Sequence, residues 1–116
     1  MTRGEWRVAS EIGEPPGNHG RFVVLEHDHP TLHWDLMLEV DGVLKTWRLA
    51  SPPTIGVISA QPIADHRIAY LDYEGPISGG RGTVHRWDRG TYAVEREEFL
   101  MAGSRLKGRI VLAQNT

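Results

Sequence analysis

The chain contains no cysteine. A disulfide framework, a thiolate metal site and a cysteine nucleophile are therefore excluded. It has no apolar run near the roughly 18 residues that a membrane span needs, and its opening stretch, MTRGEWRVAS, has no signal-peptide core. The expectation is a cytoplasmic protein with no membrane partner. A strong charge of one sign is also missing. The net charge of -2 over 116 residues argues against a broad basic face for gripping nucleic acid non-specifically, although cations gather late in the chain, at Arg81, Arg86, Arg89, Arg96, Arg105, Lys107 and Arg109. Helical periodicity is scarce. Residues 92–101 offer one weak case, and there Tyr92, Val94 and Phe99 favour strand. No serine sits in a nucleophile-elbow motif, no carboxylate pair falls in register for glycoside chemistry, and no internal repeat or low-complexity tract occurs.

What is present is a series of short strands separated by Gly, Pro and Asp turns. RFVVLE at 21–26 is β-branched and aromatic, and 32–40 alternates. Asp41-Gly42 between 32–40 and 43–49 signals a type I′ hairpin. Further strands are expected at 57–60, 83–87, 91–96, 98–102 and 106–113, with turns at Asp88-Arg89-Gly90 and Gly103-Ser104, and 64–70 holds a second cluster of polar and aromatic residues. EPPGNHG, ASPPTIG and PISGGRG are loops. Trp6, Val8 and Ile12 form a short strand or pack on the body. The pattern predicts an all-β fold, a compact single-domain antiparallel β-barrel with little helix. Residues 1–20 would be an extension and loop packing on a barrel domain at 21–113.

The chemistry concentrates in EHDHPTLHWDLMLE, residues 26–39. On a strand, residues two apart share a face. His33 and Asp35 therefore look the same way, with Met37 and Glu39 further along, while Leu32, Trp34, Leu36, Leu38 and Val40 look the other way. If the preceding strand pairs with this one, His27 swings in beside them. Two neutral imidazoles and a carboxylate suit zinc, manganese, iron, nickel or copper, with coordination positions left open. His29, before Pro30, reads as a turn residue. In DHRIAY, His66 and Tyr70 would share a strand face and could bind a phosphate or protonate a leaving oxygen. Lys45 shares a face with Trp47, opposite Arg48, and could neutralise phosphate charge from the neighbouring strand. GGRG at 79–82 lets backbone amides approach an anion. It lacks the lysine and hydroxyl residue of a P-loop, so it reads as a hairpin loop.

These segments, in this order, resemble the 3′-phosphoesterase domain of bacterial DNA ligase D. The likeness is strongest over RFVVLEHDHPTLHWDLMLEVDGVLKTW and continues through ADHRIAYLDYEG, GGRGTVHRWDRGTY and GSRLKGRIVL. The resemblance implies a β-barrel and a manganese-type divalent ion, with zinc as the other candidate. It also implies processing of nucleic-acid 3′ ends in DNA repair: removal of a terminal ribonucleoside, then of the remaining 3′-phosphate, alongside a separate DNA ligase or polymerase. By this likeness His27, His33 and Asp35 match the metal ligands, His66 and Tyr70 match residues that handle phosphate, and Glu14 matches a family carboxylate.

The departures are specific. Met37 and Ile58 stand where the family carries phosphate-binding arginines, and Leu25 stands for a glutamine. Methionine has neither the charge nor the two-pronged donor of arginine, and losing one such donor costs on the order of a hundredfold in rate. Arg48, Arg67 and Arg81 are candidates to compensate. Two alternatives stand beside a 3′-end phosphoesterase: a non-catalytic barrel that binds nucleic acid or a repair partner, and a hydrolase of a small phosphorylated molecule.

Overall fold

Runs of Val, Leu, Ile and aromatic residues cut by turn-forming residues give nine strands in the computed structural model of the chain, which describes residues 19–114. Glu14 and the strand expected around Trp6, Val8 and Ile12 lie outside the described residues. The strands are β1 (His19–His27), β2 (His33–Val40), β3 (Val43–Leu49), β4 (Gly56–Ser59), β5 (Gln61–Arg67), β6 (Gly75–Pro76), β7 (Thr83–Glu95), β8 (Glu98–Gly103) and β9 (Lys107–Ala113). A 3-10 turn, Ile68–Leu71, follows β5. No helix among the described residues is long and apolar enough to cross a membrane.

The strands form one sheet in the order β4-β9-β8-β7-β1-β2-β3-β5, with β6 added on β7. All its pairings are antiparallel except that of β4 with β9. The two end strands are consecutive in the chain and joined through Ala60, which is buried and donates its N–H to the Ala113 carbonyl at 2.8 Å. The sheet thus curls into a barrel whose seam is one bent stretch of main chain. The hairpin expected at Asp41-Gly42 is present, with φ of 50° and 85° and Val40 paired with Val43.

Expectation and structure part at β7. Asp88-Arg89-Gly90 reads as a turn, yet β7 runs unbroken through it. The turn-forming side chain is used elsewhere. Asp88 is buried, and its carboxylate accepts hydrogen bonds from the backbone N–H groups of Ser104, Arg105 and Leu106 at 2.9, 3.1 and 2.8 Å. It closes the β8–β9 turn from inside the barrel. Gly90 faces Gly103 across the strand pair, and a Cβ on Gly90 would lie 2.8 Å from the Gly103 Cα, so glycine here serves close approach.

Both faces of β1 and β2 are buried, so Phe22 to Leu25 are covered without alternation. The barrel interior holds Phe22, Val24, Leu36, Leu38, Tyr92, Phe99, Ile110 and their neighbours. A second, smaller core lies on the outer face, where Val23, Leu25, Met37, Leu44, Leu71 and Val84 pack under Ile68, Tyr70, Tyr73 and Ile77. The chain that follows β5 roofs this core.

Arg21 on β1 and Glu39 on β2 form a two-pronged ion pair, with Nε to Oε1 at 2.9 Å and Nη2 to Oε2 at 2.6 Å. The Arg21 hydrogen bond holds the Glu39 carboxyl below its ordinary value. A carboxyl lowered in the folded state stabilises the fold above its unfolded pKa and loses that contribution as pH falls through the folded one. Glu39→Gln is therefore expected to lower the melting temperature at neutral pH, with the gap to wild type closing in acid below the ordinary glutamate range. Melting curves at both pH values test this; a gap that widens in acid would refute it.

Candidate metal centre

Strand pairing sets the site. β1 and β2 pair with His27 opposite His33 and Leu25 opposite Asp35, so the end of β1 brings the first imidazole beside the β2 pair. His33 and Asp35 are buried and His27 is half-buried. The His33 Nε2 lies 3.4 Å and the His27 Nδ1 3.9 Å from the Asp35 Oδ2, and the imidazole centroids are 4.9 Å apart. One ligand atom from each residue fits within 4.8 Å of the others.

The outer ring nitrogens are already committed. His33 Nδ1 is 2.8 Å from the Thr31 carbonyl, and His27 Nε2 is 2.8 Å from the Arg81 carbonyl. A carbonyl only accepts, so each of these nitrogens donates its N–H. In the neutral ring, the opposite nitrogen then presents its lone pair toward Asp35, the arrangement that carbonyl partners impose on metal-binding histidines. His33 Nε2 and Asp35 Oδ1 are buried without a hydrogen-bond partner. Buried polar atoms are normally satisfied; the open His33 Nε2, facing Asp35 Oδ2, fits a divalent cation between them.

The glycine-rich loop has a part in this that its sequence did not reveal. It carries the Arg81 carbonyl that orients His27, and Asp28 anchors it by accepting the Thr83 N–H at 2.8 Å. That hydrogen bond holds the Asp28 carboxyl below its ordinary value. Gly82 has φ of 76°, and a Cβ there would overlap the Asp28 carboxylate and lie 2.6 Å from the His29 Cβ. Gly82→Ala is expected to turn His27 from its position and weaken metal affinity by about 10–100-fold, the range for loss of a residue that orients a ligand. Manganese titration of the variant tests this, and unchanged affinity would exclude the role.

The remaining site residues divide by face. Arg48 pairs with Asp35 across β2 and β3, its Nε 3.7 Å from the Asp35 Oδ1 and its side chain 43% exposed. Lys45 pairs with Leu38, a residue of the barrel interior, and so stands on the opposite face from Asp35. Its Nζ is 3.3 Å from an Asp65 carboxylate oxygen. The phosphate contact expected of Lys45 thus has no support from the strand register, whereas Arg48 is on the correct face. His29 is exposed in the turn, its ring centroid 6.5 Å from that of His27, and lies outside the ligand cluster. Met37 is buried in the outer core, and Ile58 belongs to the barrel interior. Ile58 therefore does not mark a gap in the metal face.

His66 and Tyr70 are brought together differently from the expectation. β5 ends at Arg67, and Tyr70 lies in the 3-10 turn, not on a strand. Their rings still meet edge to face with centroids 5.5 Å apart. His66 pairs with Leu44, itself opposite Glu39, so it shares the metal face two strands over, level with Glu39 rather than with Asp35. Its Nδ1 donates to the Ala64 carbonyl at 2.9 Å.

A family model described as the DNA ligase D 3′-phosphoesterase domain matches residues 25–114. The chain is 35% identical over 105 residues to the multifunctional non-homologous end joining protein LigD of Pseudomonas aeruginosa, an alignment covering 77% of this chain and 12% of that protein. It is 36% identical over 105 residues to the protein of the same description from Mycolicibacterium smegmatis, covering 78% of this chain and 14% of the relative. It is 36% identical over 103 residues to the multifunctional non-homologous end joining DNA repair protein LigD of Mycobacterium tuberculosis, with the same coverage of 78% and 14%. The chain thus spans a small fraction of the length of these curated relatives.

Proposed function

Since this chain belongs to the DNA ligase D 3′-phosphoesterase family, we propose that it is a metal-dependent phosphoesterase acting on nucleic-acid 3′ ends, removing a terminal ribonucleoside and then the 3′-phosphate, in end-joining repair beside a separate ligase or polymerase. The observation that carries the reading is the convergence of His27, His33 and Asp35, with both imidazoles held by carbonyls on their far nitrogens and with the His33 Nε2 open at the centre.

His27, His33 and Asp35 would hold the cation, manganese by the family likeness and zinc as the other fit to this donor set. When bound, such an ion polarises a phosphoryl oxygen and lowers the pKa of a water at the open position. The chain's own groups do the rest. Arg48, largely exposed beside Asp35, offers N–H donors to a phosphate oxygen. His66, whose Nδ1 donates to the Ala64 carbonyl, would in its protonated form present Nε2–H to substrate phosphate or protonate the leaving oxygen. Tyr70 braces the His66 ring.

The test uses purified protein with Mn2+ or Zn2+ and two primers, one tailed with a 3′-ribonucleotide and one ending in 3′-phosphate. Conversion of both to 3′-hydroxyl ends is expected. If both remain unchanged with either ion, the catalytic reading is lost. A second reading, a non-catalytic barrel that binds nucleic-acid ends, draws on Met37, which puts an apolar side chain beside Asp35 on the metal face. Salt-dependent binding of primers without turnover would favour it.

A further inference from the structure

We propose that Arg86 is the substrate-binding guanidinium of this centre, taking the terminal phosphate from the side opposite Arg48. The inference rests on the phosphoesterase reading above and names a residue which that reading does not use. Its basis is register. Leu25 pairs with Asp35 on β2 and with Arg86 on β7, and Asp35 pairs with Arg48 on β3. Arg86, Leu25, Asp35 and Arg48 therefore form one row across four strands, all facing the metal side. The bulge between Val24 and Leu25 creates this placement, because it lets Asp88 point into the barrel while Arg86 points out beside Leu25. Arg86 and Asp35 are two strand spacings apart, about 10 Å between backbones. An arginine side chain and a phosphate at the three ligands bridge that span together.

The side chain is poised and underused. It is 29% exposed, and its Nε is buried with no hydrogen-bond partner. Its nearest carboxylate, Glu74, is 4.0 Å from Nη1, while the other Glu74 oxygen accepts the Arg86 backbone N–H at 2.7 Å. The carboxylate is thus committed mainly to the main chain, which leaves the Nη groups of the guanidinium to meet a second acceptor. Met37, next along the metal face from Asp35, is buried among apolar side chains and supplies no donor.

The experiment compares binding of a 3′-phosphate primer, made resistant to turnover as its 3′-methylenephosphonate, and a 3′-hydroxyl primer, with Mn2+ present, to the wild-type chain and to Arg86→Gln, Arg86→Lys and Glu74→Gln. Wild type is expected to prefer the 3′-phosphate end. Arg86→Gln is expected to weaken 3′-phosphate binding by about 10–100-fold, the range for a hydrogen bond to a charged group, while leaving 3′-hydroxyl binding and Mn2+ affinity unchanged. Arg86→Lys should fall between, keeping charge but losing the fork. Glu74→Gln, which removes the competing charge and keeps an oxygen for the main chain, should bind 3′-phosphate more tightly. Wild-type preference retained in Arg86→Gln would overturn the proposal and leave the phosphoesterase reading standing. Absence of any preference in wild type would remove both. If Arg86→Gln does not fold, Arg86→Lys and Glu74→Gln decide: no change in either overturns the role.

Discussion

Replacing His33 with alanine is expected to lower Mn2+ affinity by more than about a hundredfold, beyond the 10–100-fold seen when only a supporting residue of a metal site is lost, and to remove turnover of the 3′-phosphate primer. His33 is the most constrained of the three candidate ligands. It is 4% exposed, its Nδ1 is tied to the Thr31 carbonyl, and its Nε2 has no other use. Alanine leaves one imidazole and one carboxylate, too few to hold a divalent transition ion well. A ligand that binds only the folded state stabilises it, by about 2.7 kcal/mol at a hundred times its dissociation constant. Wild type should therefore melt higher when Mn2+ is added, and His33→Ala should show no such rise while remaining folded without metal. Equal Mn2+-induced melting shifts in the two proteins would remove the metal centre from consideration. Asp35→Asn provides a near-isosteric check, since it keeps the side-chain shape and removes the negative charge.

Asp88→Ala is expected to cost about 2–4 kcal/mol of stability, given roughly 1.5–3 kcal/mol for a hydrogen bond to a charged group and further loss where buried donors go unpaired. Three backbone N–H groups converge on that carboxylate, and Ser104, Arg105 and Leu106 have it as their shared acceptor. The turn also cannot close over a larger residue, because a Cβ on Gly103 would lie 2.7 Å from the Phe22 ring. Water cannot easily replace the carboxylate at a 4% exposed position. For a domain whose total stability is about 5–15 kcal/mol, this is a large share. Urea unfolding measures it; a loss below about 1 kcal/mol would show that the turn holds without its carboxylate. Asp88→Asn, which keeps one acceptor oxygen, should lose less.

The barrel and the convergence of His27, His33 and Asp35 were legible because both depend on local rules. Alternation in β2 put His33 and Asp35 on one face, and Asp41-Gly42 set the hairpin that places Arg48 opposite Asp35. Long-range use of a side chain was not legible. Asp88-Arg89-Gly90 has the composition of a turn, and nothing local tells that Asp88 serves a turn sixteen residues further on. The spacing of His66 and Tyr70 fits a strand face, but the strand ends at Arg67 and the chain turns as a 3-10 helix that buries Leu71 in the outer core. The sequence puts Lys45 on the Trp47 face, opposite Arg48, and the register agrees by pairing it with Leu38; a phosphate contact from that face does not follow from cross-strand nearness alone. The carbonyls of Thr31 and Arg81 could not be found at all, since a backbone acceptor has no sequence signature. The bulge at Leu25, which turns Arg86 outward, is of the same kind.

The covalent seam through Ala60 bears on self-association. An open sheet presents two full-length rows of unpaired amides and carbonyls, a template on which another chain can add a strand. Here one bent stretch pairs with β9 through its first half and with β3 through its second. Among the described residues the two ends of the strand order are short segments, and the longer one carries Pro62, which has no N–H to offer, together with exposed Asp65 and Arg67. Fibre growth by edge addition therefore finds little purchase on this barrel.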